Sequence, residues 1–119
     1  PWVPKRVVAV FQPHRYSRTA QFMERFAEAL SCADEVLVAP LYSAGESPIE
    51  GVSSAALAEQ VQQTGQSARA LADMDSLVEA VQQSSNAGDL VLVMGAGDVN
   101  QLWGRLQSSA DQKGLATAA

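Results

Sequence analysis

Val7-Val8-Ala9-Val10-Phe11-Gln12-Pro13-His14-Arg15-Tyr16-Ser17-Arg18-Thr19 joins two kinds of periodicity. Val7 to Phe11 is a short, continuous apolar run, the pattern of a strand buried on both faces. Beyond Thr19, the residues Phe22, Met23, Phe26, Ala27 and Leu30 recur at helical spacing. The stretch between is therefore a strand-to-helix turn. It carries the chain's only histidine and two arginines three residues apart. A helix N-terminus bears partial positive charge, so cations placed there are mildly unfavourable. Arginines at this point make sense when an anion is meant to sit between them.

The same alternation runs outward along the chain. Strands are predicted at Arg6–Phe11, Glu35–Pro40, Ala68–Ala72 and Leu90–Met94. Helices are predicted at Thr19–Cys32, Ser54–Thr64, Asp73–Ser84 and Asp98–Ser108. Ser17 or Thr19, Ser54 and Asp73 stand where N-caps are needed, and Gly65 and Gly88 follow helix ends. Val99, Leu102, Trp103 and Leu106 give the last helix an apolar stripe. Strands alternating with helices predict an α/β fold, a mostly parallel sheet flanked by helices in three layers with right-handed crossovers. Residues 1–109 read as one domain, and 110–119, small and polar, as a flexible tail.

The net charge of −5 hides an asymmetry, because no acidic residue precedes Glu24 whereas Lys5, Arg6, Arg15 and Arg18 all do. A basic patch on an acidic body suits a small anionic ligand and argues against nucleic acid as a partner. No stretch approaches the ~20 apolar residues of a membrane span, so no membrane association is expected. The single cysteine, Cys32, rules out an internal disulfide and fits a reducing compartment. One cysteine and one histidine argue against a zinc site.

Three loops that follow strands should gather at the carboxyl edge of the sheet, where open α/β folds bind ligands. They are the turn FQPHRYSRT, the long loop Leu41–Ser53 (LYSAGESPIEGVS) and the turn Gly95-Ala96-Gly97-Asp98. Arg15 and Arg18 present forks suited to a carboxylate or phosphate, unless they pair with Glu24 or Glu46. His14 is placed to hydrogen-bond a ligand or the neighbouring loop rather than to act as a general base. Tyr42, Gly45 and Glu46 either line the same mouth or form an ordinary turn. Asn100 stands where a dinucleotide fingerprint needs its third glycine, which sets a nicotinamide cofactor aside. No G-x-x-x-x-G-K-[ST] loop is present, so the chain has no nucleotide phosphate cradle of its own.

In order, FQPHRYSRT, YSAGESPIEGVSS and VLVMGAGD closely resemble the C-terminal domain of the ATP-dependent Mur ligases of bacterial peptidoglycan synthesis, over roughly Val7 to Leu106. FQPHRYSRT points to the branch that joins L-alanine to UDP-N-acetylmuramate. The resemblance implies a Rossmann-like domain that swings in with the amino acid. An N-terminal domain would hold the UDP-sugar, and a central domain would bind ATP and Mg2+. The sugar carboxylate would become an acyl phosphate, which the alanine amine attacks to leave an amide. The setting implied is the bacterial cytoplasm and cell-wall biogenesis, with cell shape and division depending on it. Arg15 and Arg18 would face the alanine carboxylate and the anionic reaction centre. His14, Gly95, Ala96 and Gly97 would wall the amino-acid site, and Tyr42 and Glu46 would line the cleft.

The departures from the family pattern matter as much. A D-D-Y-x-H-H-P segment is expected shortly before the first strand, and this chain opens instead on Pro1-Trp2-Val3-Pro4. The central G-T-x-G-K-[ST] loop is missing, Ser43 stands where proline is frequent, and Asp98 stands where asparagine is frequent. The expectation is a ligase fragment, inactive alone and without a cofactor of its own. The alternative is a stand-alone, noncatalytic α/β module that binds a small anion through the Arg15–Arg18 turn.

Overall fold

The apolar run forms β1 (Val7–Phe11), the middle strand of a five-stranded sheet in the order β3-β2-β1-β4-β5 with every neighbouring pair parallel. The computed structural model describes residues 3–95, 98–102, 104–105 and 116–118. In chain order β1 is followed by α1 (Tyr16–Leu30), β2 (Glu35–Val38), α2 (Ser54–Gln63), β3 (Ser67–Ala70), α3 (Met74–Ser84), β4 (Leu90–Met94), a 3-10 turn (Asp98–Gln101) and β5 (Ala116–Ala118). The architecture is the expected three-layer α/β domain.

Register explains why β1 is apolar throughout. Val10 lies between Leu37 of β2 and Val93 of β4, so its strand is hydrogen-bonded on both edges and covered on both faces. Val8, Val10, Leu37, Val91 and Val93 pack on one face with Leu77 and Val81 of α3 and with Val99 and Leu102. Ala9, Val36, Val38 and Ala68 pack on the other with Met23, Ala27 and Leu30 of α1 and Leu57 and Val61 of α2. In α1 the buried residues Thr19, Met23, Ala27 and Leu30 fall on one helical stripe.

Element ends differ from the sequence reading in informative ways. Helix α1 begins at Tyr16, three residues before the expected start, because its first turn carries no apolar stripe to announce it. The cap of α2 is Ser53, whose hydroxyl accepts from Ala56 N at 3.0 Å, while the neighbouring Ser54 turns inward to donate to Ala39 O at 2.6 Å. Asp73 caps α3 as expected, accepting from Ser76 N at 2.7 Å. The predicted last helix opens as the 3-10 turn, with Val99 and Leu102 buried; Trp103 and Leu106 lie outside the described residues. Within the segment expected to be a tail, Ala116–Ala118 adds β5 to the outer edge of β4, where unpaired backbone groups are available to it.

From β1 the chain steps to β2 and β3 on one side, and β4 then returns to the other side of β1. The strand order thus reverses between β1 and β4. Outside the carboxyl ends of those two strands lies the crevice in which α/β sheets bind ligands.

Candidate functional site

Gln12, the residue after β1, ties the crevice together. Its side chain is 2% exposed; Nε2 donates to Pro40 O at 3.1 Å, and Oε1 accepts from Val99 N at 3.1 Å. Its own backbone N–H donates to Met94 O at 2.9 Å. Through its side-chain and backbone amides together, Gln12 therefore joins the ends of β1, β2 and β4. The sequence reading passed over it, although a glutamine closing a fully apolar strand is itself a sign that the strand end needs a polar partner. Gly95 packs against the stem of this residue. A Cβ there would lie 2.6 Å from Val99 Cγ1 and 3.0 Å from Gln12 Cβ, closer than packed atoms approach.

The next residues form a narrow link to the long loop. Tyr42 N donates to Pro13 O at 2.9 Å and Arg15 N donates to Tyr42 O at 2.7 Å, so His14 and Tyr42 face each other as a parallel bridge. Their rings stack with centroids 5.5 Å apart and planes 9° from parallel. His14 thus meets the neighbouring loop by ring stacking, where a hydrogen bond was the contact expected. Arg15 has φ 68° and ψ 139°, a conformation that is nearly reserved for glycine and costs about 1–3 kcal/mol in other residues. It persists because both ends are pinned. Arg15 N is held by Tyr42, and Arg15 O accepts from Thr19 N at 3.1 Å and from the buried Thr19 hydroxyl at 2.8 Å.

Helix α1 has no side-chain cap of its own and no acidic residue in its first turn. Glu46 supplies both from the long loop. Its Oε1 accepts from Ser17 N at 3.0 Å and its Oε2 from Ser17 Oγ at 2.7 Å. Arg15 NH1 stands 3.9 Å from Oε2, a partly exposed pair that contributes little beside the two direct bonds. Hydrogen bonds from the Ser17 hydroxyl and backbone N–H hold the Glu46 carboxyl below the usual carboxylate range. Burial opposes them less strongly, and the Tyr16 N–H and the Arg15 charge add still smaller effects in the same direction as Ser17. Ala44 (φ 53°) and Gly45 (φ 87°) make the tight turn, closed by Glu46 N donating to Ser43 O at 3.1 Å, that aims Glu46 back at the helix. Of the two carboxylates that the sequence set against an anionic ligand for the arginines, Glu24 and Glu46, it is Glu46 that stands beside Arg15.

Arg18 takes a different position. It lines a cleft of about 270 Å3 with Phe11, Gln12, His14, Phe26 and Gly95, and it makes no ion pair among the described residues. The cleft has an apolar floor, one guanidinium at its wall and room for a small ligand only. A larger groove of about 460 Å3 between α1 and α2 lies away from the strand ends and gathers no comparable set of groups. So His14, Arg18 and Gly95 come together, whereas Arg15, Tyr42 and Glu46 form the adjoining rim. Ala96 and Gly97 lie outside the described residues. Among the described residues no three His, Cys, Asp or Glu side chains are placed to hold a metal, and no helix is long and apolar enough to cross a membrane.

Comparison with known proteins supplies the context for this geometry. The family model described as "Mur ligase, glutamate ligase domain" matches residues 1–97. The UDP-N-acetylmuramate–L-alanine ligase of Synechococcus sp. (strain RCC307) is 91% identical over 119 residues, all of this chain and 25% of that protein. That of Synechococcus sp. (strain CC9605) is 54% identical over 110 residues, 91% of this chain and 24% of the relative. The ligase of the same name from Psychrobacter cryohalolentis is 43% identical over 98 residues, 82% of this chain and 20% of the relative. The chain spans about a quarter of the length of the first of these.

Proposed function

The chain belongs to the Mur ligase family, in its glutamate ligase domain, and from that premise we propose that it is the amino-acid-side, C-terminal domain of a UDP-N-acetylmuramate–L-alanine ligase. The single observation that carries the choice is Arg18, a guanidinium without an ion pair among the described residues, on the wall of a cleft sized for a small ligand at the reversal point of the sheet. The relatives' shared name supports L-alanine and UDP-N-acetylmuramate as substrates. In this reading Arg18 receives the alanine carboxylate, and His14 and the Gly95 turn wall the site. Arg15, on the rim and turned toward Glu46, faces the anionic reaction centre. Their chemistry is orientation and electrostatic stabilisation, which holds the amine in position for attack and requires no proton transfer by these side chains.

ATP and Mg2+ belong to the complete ligase and to its other domains, because this chain lacks a phosphate cradle. The partners are then the N-terminal and central domains and the two small substrates, in the bacterial cytoplasm. The isolated chain should not turn over ATP. The test is phosphate release by the complete ligase carrying this domain, with UDP-N-acetylmuramate present and L-alanine varied. Release should depend on L-alanine, and Arg18→Met should raise the alanine KM by about tenfold or more, the loss of a charge-assisted hydrogen bond. Indifference to L-alanine, or alanine-dependent release by the 119-residue chain alone, overturns the proposal.

A further inference from the structure

Resting on the reading of the cleft as the amino-acid site, the geometry points to Gln12 as the positioning residue that sets the distance between the two walls of that site. One wall is the turn that carries His14 and Arg18; the other is Gly95, against which Val99 of the 3-10 turn packs. They come from segments nearly eighty residues apart in the sequence. Backbone pairing carries them as far as Gln12 N to Met94 O at 2.9 Å, where the β1–β4 ladder ends. Beyond that point Val99 N donates to Gln12 Oε1 at 3.1 Å, a bond that crosses from one wall to the other.

The two ends of the same amide do different things. Oε1 fixes the first turn after Gly95, and Nε2, through Pro40 O, fixes the end of β2 from which the Tyr42 loop departs. Because both bonds belong to one planar group, the three loops cannot shift independently. The side chain is buried at 2% exposure, so water offers no easy substitute for either bond, and Gly95 permits the close approach that brings Val99 within reach. Gln12 also forms part of the cleft lining with Arg18 and His14. Its consequence for function is therefore specific. Loosening it changes how well the cleft fits the amino acid and leaves the sites for the other substrates alone.

The experiment uses Gln12→Met, which keeps the length and apolar stem but removes both polar bonds, and Gln12→Glu, which keeps the acceptor for Val99 N–H. In the complete ligase, Gln12→Met should raise the L-alanine KM about tenfold or more, since small displacements of positioning groups are costly. The KM values for ATP and UDP-N-acetylmuramate should stay within about twofold, and Gln12→Glu should fall between wild type and Gln12→Met. A merely structural role predicts instead a loss of folded enzyme with the alanine KM unmoved, and that result overturns the assignment. Amide hydrogen exchange at Val99 in the 119-residue chain decides the matter if Gln12→Met fails to fold. Slow exchange in wild type and in Gln12→Glu supports the strut, and free exchange at Val99 beside protected β4 amides overturns it. A wild-type ligase that ignores L-alanine would remove the functional reading alone, because the Val99 exchange still tests the strut.

Discussion

The carboxylate of Glu46 grips Ser17 with both oxygens, Oε1 on the backbone N–H at 3.0 Å and Oε2 on the hydroxyl at 2.7 Å, so a loop residue caps a helix 29 positions away. The arrangement places a negative charge where the helix end and Arg15 are both positive. It also fastens the long loop to the rim of the cleft.

A pH dependence follows from this. The folded-state pKa of Glu46 lies below its ordinary value of 4.5, so the unfolded chain binds that proton more readily. The stabilisation is fully present above the ordinary value and is lost as pH falls through the folded one. Carboxyl NMR titration of Glu46 should give a midpoint below 4.5, and the Ser17 amide resonance should move with it. Glu46→Gln should remove the coupled Ser17 shift and speed exchange of the first α1 amides. A Glu46 midpoint at or above the ordinary value would show that the grip on Ser17 does not form in solution.

Arg15 gives a second prediction, in which stability and function part. Its φ of 68° with ψ of 139° suits glycine, so Arg15→Gly should be more stable than Arg15→Ala by about 1–3 kcal/mol in urea unfolding. The comparison is made against alanine because both variants lose the guanidinium, which leaves the backbone as the difference. Equal stability of the two would mean that the turn relaxes to an ordinary conformation. In the complete ligase neither variant should retain wild-type activity, because an arginine in a strained conformation is expected where its charge serves the reaction.

How much of this was legible from the residues can be argued position by position. The four longer strands and three of the helices announce themselves by period, because β1 must be apolar on both faces and α1 on one. The start of α1 did not, since Tyr16 and Ser17 carry no stripe and the cap comes from Glu46, far along the chain. The crevice was legible from the strand-then-loop order, and so were His14, Arg18 and Gly95 as its residues. The division of labour between the arginines was not. Sequence spacing makes Arg15 and Arg18 equivalent forks, and only the reversed turn at Ala44 and Gly45 sends Glu46 to the first of them. Gln12 escaped for a related reason. The partners of its side chain at Pro40 and Val99 are backbone groups, and backbone groups leave no mark on a sequence.

Gly95 supplies the last prediction. An alanine there would set a methyl 2.6 Å from Val99 Cγ1 and 3.0 Å from Gln12 Cβ. Neither neighbour has room to retreat, since Val99 is fully buried and Gln12 is held at both ends of its amide. Gly95→Ala should therefore destabilise the domain by about 1–3 kcal/mol, the usual cost of overpacking. Val99→Ala alone should also destabilise, through the cavity that it leaves. Together they should cost less than the sum of the two, because the shorter side chain at 99 removes the closest clash that the new methyl creates. Urea unfolding of the four proteins gives the coupling directly, and contacting residues of this kind couple by about 0.5–3 kcal/mol. Simple additivity would mean that Gly95 moves away from Val99 when substituted, and the Gln12–Val99 bond would then lengthen with it. In the complete ligase that movement should be felt as a weaker hold on the amino acid, since Gly95 and Gln12 line the same cleft.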